Sequence, residues 1–241
     1  MLTLHGIYQD YIETNSTYIF PAFEKGSEAF WPVTVSGTTW SLQPLYYAFQ
    51  VLKVSASSYD PYTLNYSTIA LAQKLDPGQV IASNPDLTPF FKKNGKVLHY
   101  HGWADGTIIS RSSILTIGLI SARTSIDYYE SVERTVNSDF SENYRLFMVP
   151  GMMHCANGPG PWVFNSNPQT WFLDPTADLL HQLVQWVENG TAPDTLLGTK
   201  YFNDTGPGII FQRPICPYPE QAVWNGKEKW QDPKNWQCKL A

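Results

Sequence analysis

Charged residues are scarce in this 241-residue sequence, and so are long apolar runs. Lysine, arginine, aspartate and glutamate make up 15% of the chain, and the formal net charge is −5. The longest basic run is Lys92-Lys93, so no cluster of cations could neutralise a series of phosphates. Residues 114–120 form the longest apolar segment, well short of the roughly 20 residues that cross a bilayer. We therefore expect neither a nucleic-acid partner nor a membrane span.

The sequence also begins without a recognisable signal peptide. Its first residues, Met-Leu-Thr-Leu-His-Gly, contain neither the basic region nor the apolar segment of a secretion signal. Four Asn-x-Ser/Thr sequons nevertheless favour an extracellular protein, and they begin at Asn15, Asn65, Asn189 and Asn203. We expect a secreted protein whose signal peptide lies outside this sequence.

Cysteine is rare, and its count of three is odd. Cys216 and Cys238 lie in a tail rich in proline and tryptophan, where a disulfide between them would contribute roughly 3 kcal/mol of stability. Cys155, next to His154, is then left over. It is either a buried thiol or the partner of a cysteine outside this sequence.

Residues 1–90 and 91–241 differ in pattern. The first segment has little periodicity and is rich in aromatic residues, proline, serine and threonine, which predicts an irregular but folded unit. In the second segment strand patterns alternate with helix patterns, which is typical of an α/β sheet with crossover connections. Aromatic residues reach 15% of the whole chain. Ordinary packing explains such a content, and a groove for flat or sugar-like ligands is the alternative.

Two strands and two helices are predicted in the second segment. The strands cover residues 96–101 and 145–149. One helix buries a face of apolar residues, namely Ile126, Tyr129, Val132 and Val136. The other begins at Thr176 as N-cap, has Asp178 in its first turn and ends at Gly190. Its expected buried stripe consists of Leu179, Leu180, Leu183, Val184 and Val187.

An acid and a base follow the two predicted strands. Asp105 comes shortly after the first strand and His154 shortly after the second. Functional side chains of α/β sheets lie beyond the carboxyl ends of the strands, so neighbouring parallel strands would bring the two loops together. A carboxylate that orients an imidazole is the acid–base pair of a catalytic triad. The order Asp, then His, matches the second and third members in α/β-hydrolases. The alternative is a turn-stabilising aspartate and a structural histidine.

The third member of such a triad, a nucleophilic serine, is not recognisable. It normally lies upstream in a Gly-x-Ser-x-Gly turn between a strand and a helix. No serine of this sequence has glycine two positions away on both sides. Ser27, in Lys-Gly-Ser-Glu-Ala, comes nearest but follows no predicted strand.

Four further motifs occur in a fixed order. They are Tyr-His-Gly-Trp-Ala-Asp-Gly (100–106), Phe-Met-Val-Pro-Gly-Met-Met-His-Cys (147–155) followed by Gly-Pro-Gly (158–160), Trp-Val-Glu-Asn-Gly-Thr-Ala-Pro (186–193) and Arg-Pro-Ile-Cys-Pro-Tyr-Pro (213–219). In these motifs the chain resembles the tannase/feruloyl esterase family, and weaker similarity extends back to about Tyr18. The resemblance implies the C-terminal portion of an α/β-hydrolase fold over 91–241, preceded by part of an irregular lid domain over 1–90.

The resemblance also implies roles for individual residues. Asp105 and His154 would be the catalytic acid and base. Cys155 would bond to a cysteine next to the serine in a half that this sequence lacks, and Cys216 would pair with Cys238. The lid of the family usually binds Ca²⁺ through an acidic loop, which is absent here, so we expect no cofactor and no metal site in this chain. Residues 114–125 look like an insertion relative to the family.

Two other observations have weaker functional interpretations. His99 and His101 share one strand face and could form a metal pair, but no third ligand is nearby in the sequence. Trp103, Met152 and Met153 flank the predicted site. Core packing is their first interpretation, and shaping an aromatic acyl pocket is the second.

The expected function is hydrolysis of phenolic (galloyl or feruloyl) esters of plant cell walls or tannins by a serine mechanism, with the serine supplied from outside this chain. The chain alone is then expected to be inactive. One alternative is a truncated fragment without activity, and another is an aromatic-rich carbohydrate-binding protein.

Overall fold

The structure is a computed structural model that describes residues 2–30, 45–79, 81–107, 120–164, 177–204 and 208–240. The helices are α1 (Leu2–Ile7), α2 (Tyr66–Leu75), α3 (Thr88–Phe91), α4 (Ala122–Val136) and α5 (Leu179–Asn189). The strands are β1 (Tyr11–Ile12), β2 (Tyr18–Phe20), β3 (Val97–Gly102), β4 (Gly106–Thr107), β5 (Ile120–Ser121), β6 (Tyr144–Val149), β7 (Leu196–Tyr201), β8 (Ile209–Ile215), β9 (Glu220–Trp224) and β10 (Trp236–Leu240). None of the described helices is long and apolar enough to cross a membrane.

Backbone contacts divide the chain into two compact units. Unit 1 consists of Met1–Asn84 and Asp105–Ser125, and unit 2 of Pro85–Ala104 and Ile126–Ala241. The break after Asn84 falls close to the predicted boundary at residue 90. The segment 105–125 belongs by its contacts to unit 1, although it lies far along the sequence.

Unit 1 is built from short elements, as its weak periodicity predicts. Strands β1 and β2 pair antiparallel, as do β4 and β5. A π-helical turn, Tyr46–Leu52, packs with α2 around a small core of Tyr46, Tyr47, Val51 and Ala72. The side chain of Asn65 caps α2 by accepting a hydrogen bond from the Thr68 amide at 3.1 Å, which stabilises its otherwise unpaired first turn. Of the predicted insertion at residues 114–125, residues 114–119 lie outside the described residues.

Unit 2 contains the two predicted strands, and their arrangement is confirmed. β3 pairs parallel with β6, with Val97 opposite Tyr144 and Gly102 opposite Val149. Parallel strands require a crossover, and α4 supplies it. Ile126 and Val132 of α4 are buried as predicted. Tyr129 lies between the rings of Phe140, Tyr144 and Tyr218 at centroid distances of 5.4, 4.9 and 5.8 Å, so these aromatic residues serve packing.

The other strands of unit 2 pair antiparallel. β7 pairs with β8, and β9 pairs with β10. Cys216 and Cys238 form a disulfide that ties β10 to the end of β8, the pairing that the family resemblance implied. The main core of unit 2 gathers side chains from β6, the loop after it, β7 and β8, namely Phe147, Val149, Met152, Phe164, Leu196 and Ile215.

The prediction for α5 is partly wrong. Its N-cap is Asp178, whose side chain accepts a hydrogen bond from the His181 amide at 3.0 Å, and Thr176 lies outside the described residues. Trp186 is the fully buried residue of the helix, whereas three residues of the expected buried stripe are exposed, namely Leu180, Val184 and Val187. The helix has two adjacent apolar stripes, 179/183/186 and 180/184/187, and periodicity alone does not tell which one faces the core. The bulky indole of Trp186 faces the core. Gly190 ends the helix in a left-handed conformation (φ 70°), as predicted.

Candidate active site

The carboxyl ends of β3 and β6 lie side by side, and the chain continues from each into a loop that carries a predicted catalytic residue. After β3 the amide of Trp103 donates to the Val149 carbonyl at 3.0 Å, and the amide of Ala104 donates to the Met152 carbonyl at 3.0 Å. Asp105 follows Ala104 directly, and His154 comes two residues after Met152. The two loops are thus joined, within unit 2, by main-chain hydrogen bonds immediately before each predicted catalytic residue.

Glycine is required where the two loops meet. A Cβ atom on Gly102 would lie 2.0 Å from the Met152 carbonyl oxygen, closer than any real Cβ contact. The absence of a side chain at this position allows the two main chains to approach and the Ala104–Met152 hydrogen bond to form.

Asp105 is 1% exposed and begins the second segment of unit 1. The next residue, Gly106, lies directly against the backbone of Ser27, since a Cβ atom there would be 2.2 Å from the Ser27 carbonyl oxygen. Ser27 is fully buried, and its hydroxyl has no hydrogen-bond partner within the described parts of the chain. It precedes a short 3-10 helix, Glu28–Phe30, and follows a turn. This is not the strand-to-helix turn that exposes a nucleophile.

His154 lies in a loop of unit 2 that the main chain closes twice. The Gly160 amide donates to the Gly151 carbonyl at 3.1 Å, and the Met153 amide donates to the Asn157 carbonyl at 3.2 Å. We call residues 151–160 the histidine loop. His154 lies inside the inner closure and is half-buried, and Cys155 beside it is exposed with a φ of 58°. The left-handed residue turns the chain sharply after His154.

The three residues that flank the predicted site differ in burial. Met152 is 1% exposed and belongs to the core of unit 2, so packing is its role. Trp103 and Met153 are half-buried and keep surface on which a ligand could be recognised.

The two histidines of β3 are placed differently from the predicted site residues. His99 Nδ1 lies 2.8 Å from the Tyr144 hydroxyl, and the rings stack at 6.1 Å. Burial, followed by the neighbouring charge of His101, lowers the pKa of His99 to about 4, so its imidazole is neutral at physiological pH. Within the described ranges no group of three or more His, Cys, Asp or Glu side chains could hold a metal ion.

A separate cavity of about 570 Å³ lies in unit 2 between the segment after α5 and the disulfide-bonded tail. Its described lining includes Asp194, Pro214, Lys234 and Trp236, but neither Asp105 nor His154. It is therefore distinct from the loops that carry the predicted catalytic residues.

Comparison with known proteins identifies relatives of the whole chain. The family model "Tannase and feruloyl esterase" matches residues 43–239. A probable feruloyl esterase B-1 of Aspergillus oryzae is 33% identical over 98% of this chain and 42% of its own length. Feruloyl esterase C of Talaromyces stipitatus is 31% identical over 94% of this chain and 41% of its own length. The chain therefore spans less than half the length of these relatives.

Solved structures agree with the sequence comparison. The crystal structure of feruloyl esterase B from Aspergillus oryzae matches 99% of this chain and 45% of its own, with a TM-score of 0.84 and 32% identity. A tannin acyl hydrolase from Aspergillus niger matches with a TM-score of 0.64 at 23% identity, over 100% of this chain and 42% of its own, which supports the fold alone. The expected α/β-hydrolase fold is confirmed. This chain belongs to the tannase and feruloyl esterase family.

Proposed function

We propose that this chain takes part in the hydrolysis of phenolic carboxylic esters, with His154 as the general base and Asp105 as the acid that orients it. The observation that carries the proposal is the pairing of the two strand ends. The amide of Ala104, next to Asp105, donates a hydrogen bond to the carbonyl of Met152, two residues before His154. A relative named feruloyl esterase and the family model named for tannase and feruloyl esterase support feruloyl or galloyl esters as the substrate class.

In the proposed reaction, His154 removes the proton from a serine hydroxyl as the serine oxygen attacks the ester carbonyl. Asp105 holds the imidazole in the required tautomer and stabilises its charged form. His154 then gives the proton to the departing alcohol, and an acyl-serine ester remains. Water, deprotonated by the same imidazole, attacks that ester, releases the phenolic acid and restores the serine.

The serine would come from a segment outside this sequence, because no serine of this sequence lies in a Gly-x-Ser-x-Gly motif. By the family resemblance, Cys155 would bond to a cysteine of that segment. Calcium, if the complete protein uses it, would bind the lid in that segment, so we expect chelation by EDTA to leave the melting temperature of this chain unchanged.

We also propose secretion as the location of the protein. The four sequon asparagines, Asn15, Asn65, Asn189 and Asn203, are exposed. Disulfides such as Cys216–Cys238 form and persist in oxidising compartments. Both features fit an extracellular esterase that acts on plant material.

The proposed function is tested by assaying methyl ferulate and methyl gallate. The chain is assayed alone and mixed with the part of Aspergillus oryzae feruloyl esterase B that it does not match. We expect no turnover by the chain alone and measurable turnover by the mixture. His154→Ala should abolish that turnover, and Asp105→Asn should reduce kcat by roughly 10³–10⁴-fold. His181→Ala, at an exposed histidine of α5, is the matched control and should have no effect.

Three results would contradict the proposal in different ways. Turnover by the chain alone that His154→Ala removes would place the nucleophile within this sequence. A stable mixture without turnover would favour the inactive fragment. Binding of the chain to insoluble polysaccharide, without hydrolysis of either ester, would favour the carbohydrate-binding alternative.

A further inference from the structure

A largely buried cation contacts the histidine loop from the neighbouring strand. Lys200, on β7, donates from its ammonium group to the Gly158 carbonyl at 2.6 Å. Its side chain is only 14% exposed. Gly158 lies on the returning half of the histidine loop and has a φ of 95°. A Cβ atom there would be 2.2 Å from the Gly151 carbonyl oxygen, so the ammonium group binds the loop where its two halves touch.

A carboxylate balances the charge of Lys200. Asp204 accepts a hydrogen bond from the Lys200 ammonium group and another from the Trp162 indole at 3.2 Å. The hydrogen bond from Lys200 is the main cause that lowers the pKa of Asp204, so the carboxylate is charged at neutral pH. A buried ammonium group without such a partner would be strongly unfavourable.

The same network holds the segment that follows the loop. Val163 and Thr199 exchange main-chain hydrogen bonds at 3.1 and 3.0 Å, and Trp162 reaches Asp204 from the preceding position. The returning half of the histidine loop is therefore fixed to β7 on both sides of Pro161. A base that must meet a hydroxyl within hydrogen-bond distance needs a support that holds it to about 0.5 Å.

We propose that Lys200, neutralised by Asp204, is a positioning residue for His154: its bond to the Gly158 carbonyl keeps the histidine loop closed and the imidazole in one orientation. The inference rests on the proposed role of His154 as the base. Lys200 touches no reacting atom in this scheme. It acts through the main chain of the loop.

The experiment uses the chain itself and does not require turnover. The variants are Lys200→Met, which removes the charge at nearly constant length, and Lys200→Arg, which keeps it. Lys96→Met is the matched control, because Lys96 also donates to a main-chain carbonyl, that of Glu142 at 2.6 Å, but outside the histidine loop. NMR measures hydrogen exchange at the Gly160 and Met153 amides and the ¹⁵N signals of the His154 ring.

In Lys200→Met we expect both loop amides to exchange roughly tenfold faster or more, since a hydrogen bond from a charged group is lost. The His154 ring signals should shift towards averaged tautomer values, and Lys200→Arg should restore them at least in part. Lys96→Met should leave the loop amides and the His154 ring unchanged. Asp204→Asn provides a milder second variant, with a smaller change in the same direction, if Lys200→Met folds poorly.

Unchanged loop exchange and unchanged His154 signals in folded Lys200→Met or Asp204→Asn would overturn the proposal. So would faster loop exchange with an unaltered His154 ring, because Lys200 would then stabilise the loop without positioning the imidazole. Failure of the ester assay above, with the NMR result as expected, would instead remove the proposed function and leave the link between Lys200 and the loop standing.

Discussion

The amide of Ala104 donates a hydrogen bond to the carbonyl oxygen of Met152 at 3.0 Å, and Gly102 lies against the same carbonyl. The loop after β3 and the loop after β6 are thereby joined by their main chains before either reaches its predicted catalytic residue. Substitutions at this junction should therefore affect the stability of unit 2 as well as the proposed reaction.

We expect Gly102→Ala to destabilise the protein by about 3 kcal/mol or more, because its Cβ atom would overlap the Met152 carbonyl and force the strand ends apart. For a chain of this size that lowers the melting temperature by roughly 6–12 °C. Gly6→Ala in α1 is the control, since a Cβ atom there meets nothing within 4 Å and alanine favours a helix. Thermal unfolding followed by circular dichroism measures both. Equal melting temperatures for the two variants would mean that the ends of β3 and β6 can move apart without loss of stability.

The neutral state of His99 predicts a dependence of stability on pH. Its folded pKa of about 4 lies below the ordinary histidine value of 6.5, so the stability it contributes is complete above pH 6.5 and is lost as the pH falls towards 4. The loss reaches up to roughly 3 kcal/mol. His99→Gln should flatten this part of the profile, whereas His181→Gln, at an exposed position, should not. Urea unfolding between pH 4 and 7.5 provides the measurement, and parallel profiles for wild type and His99→Gln would refute the prediction.

Ser27 is expected to be dispensable despite its complete burial. Its hydroxyl has no hydrogen-bond partner among the described residues, so Ser27→Ala removes an unsatisfied polar group and should leave the free energy of unfolding unchanged or raise it. Ser121 is the contrasting case in unit 1. It is equally buried, but its hydroxyl donates to the Ala22 carbonyl at 2.9 Å, so Ser121→Ala should cost about 1–3 kcal/mol. Chemical denaturation compares the two. A large loss in Ser27→Ala would show that the hydroxyl is satisfied in solution.

Substitutions in the two apolar stripes of α5 should differ strongly in their effect on stability. Trp186→Ala empties a fully buried position and should cost about 3–5 kcal/mol. The double variant Leu180→Ser with Val187→Thr changes side chains that are 70% and 56% exposed. It should change stability by roughly 1 kcal/mol at most and improve solubility by reducing the exposed apolar surface. Unfolding and light scattering test this pair, and strong destabilisation by the double variant would mean that the exposed stripe is covered in solution.

Local patterns of the sequence predicted the features that are local in the structure. The strand runs near residues 97 and 145, the buried face of α4 and the glycine at the end of α5 depend on periodicity and backbone preference, which short segments encode. The sequence positions of Asp105 and His154 placed each residue shortly after one of the two predicted strands. The parallel pairing of β3 with β6 then followed from the rules for α/β sheets.

The features that the sequence did not predict depend on contacts between distant segments. Lys200 and Gly158 are 42 residues apart, and a lysine near the end of a strand gives no indication of which carbonyl it will bind. Likewise, α5 has two apolar stripes of similar character, and only the packing of Trp186 decides between them. The segment 105–125 belongs to unit 1, where Gly106 lies against the Ser27 backbone and Ser121 bonds to the Ala22 carbonyl, and both contacts join segments that are far apart in the sequence.

The histidine loop is closed by main-chain hydrogen bonds, Met153 with Asn157 and Gly151 with Gly160, and its outer support binds a main-chain carbonyl. The side chains of Met153 and Ala156 take no part in that closure. These two positions can therefore vary, under natural selection or in a combinatorial library, while the path of the chain through His154 is retained. If the proposed function holds, a protein engineer who wants a different acyl preference could begin there, because side chains beside the imidazole could be changed without altering the turn that carries it.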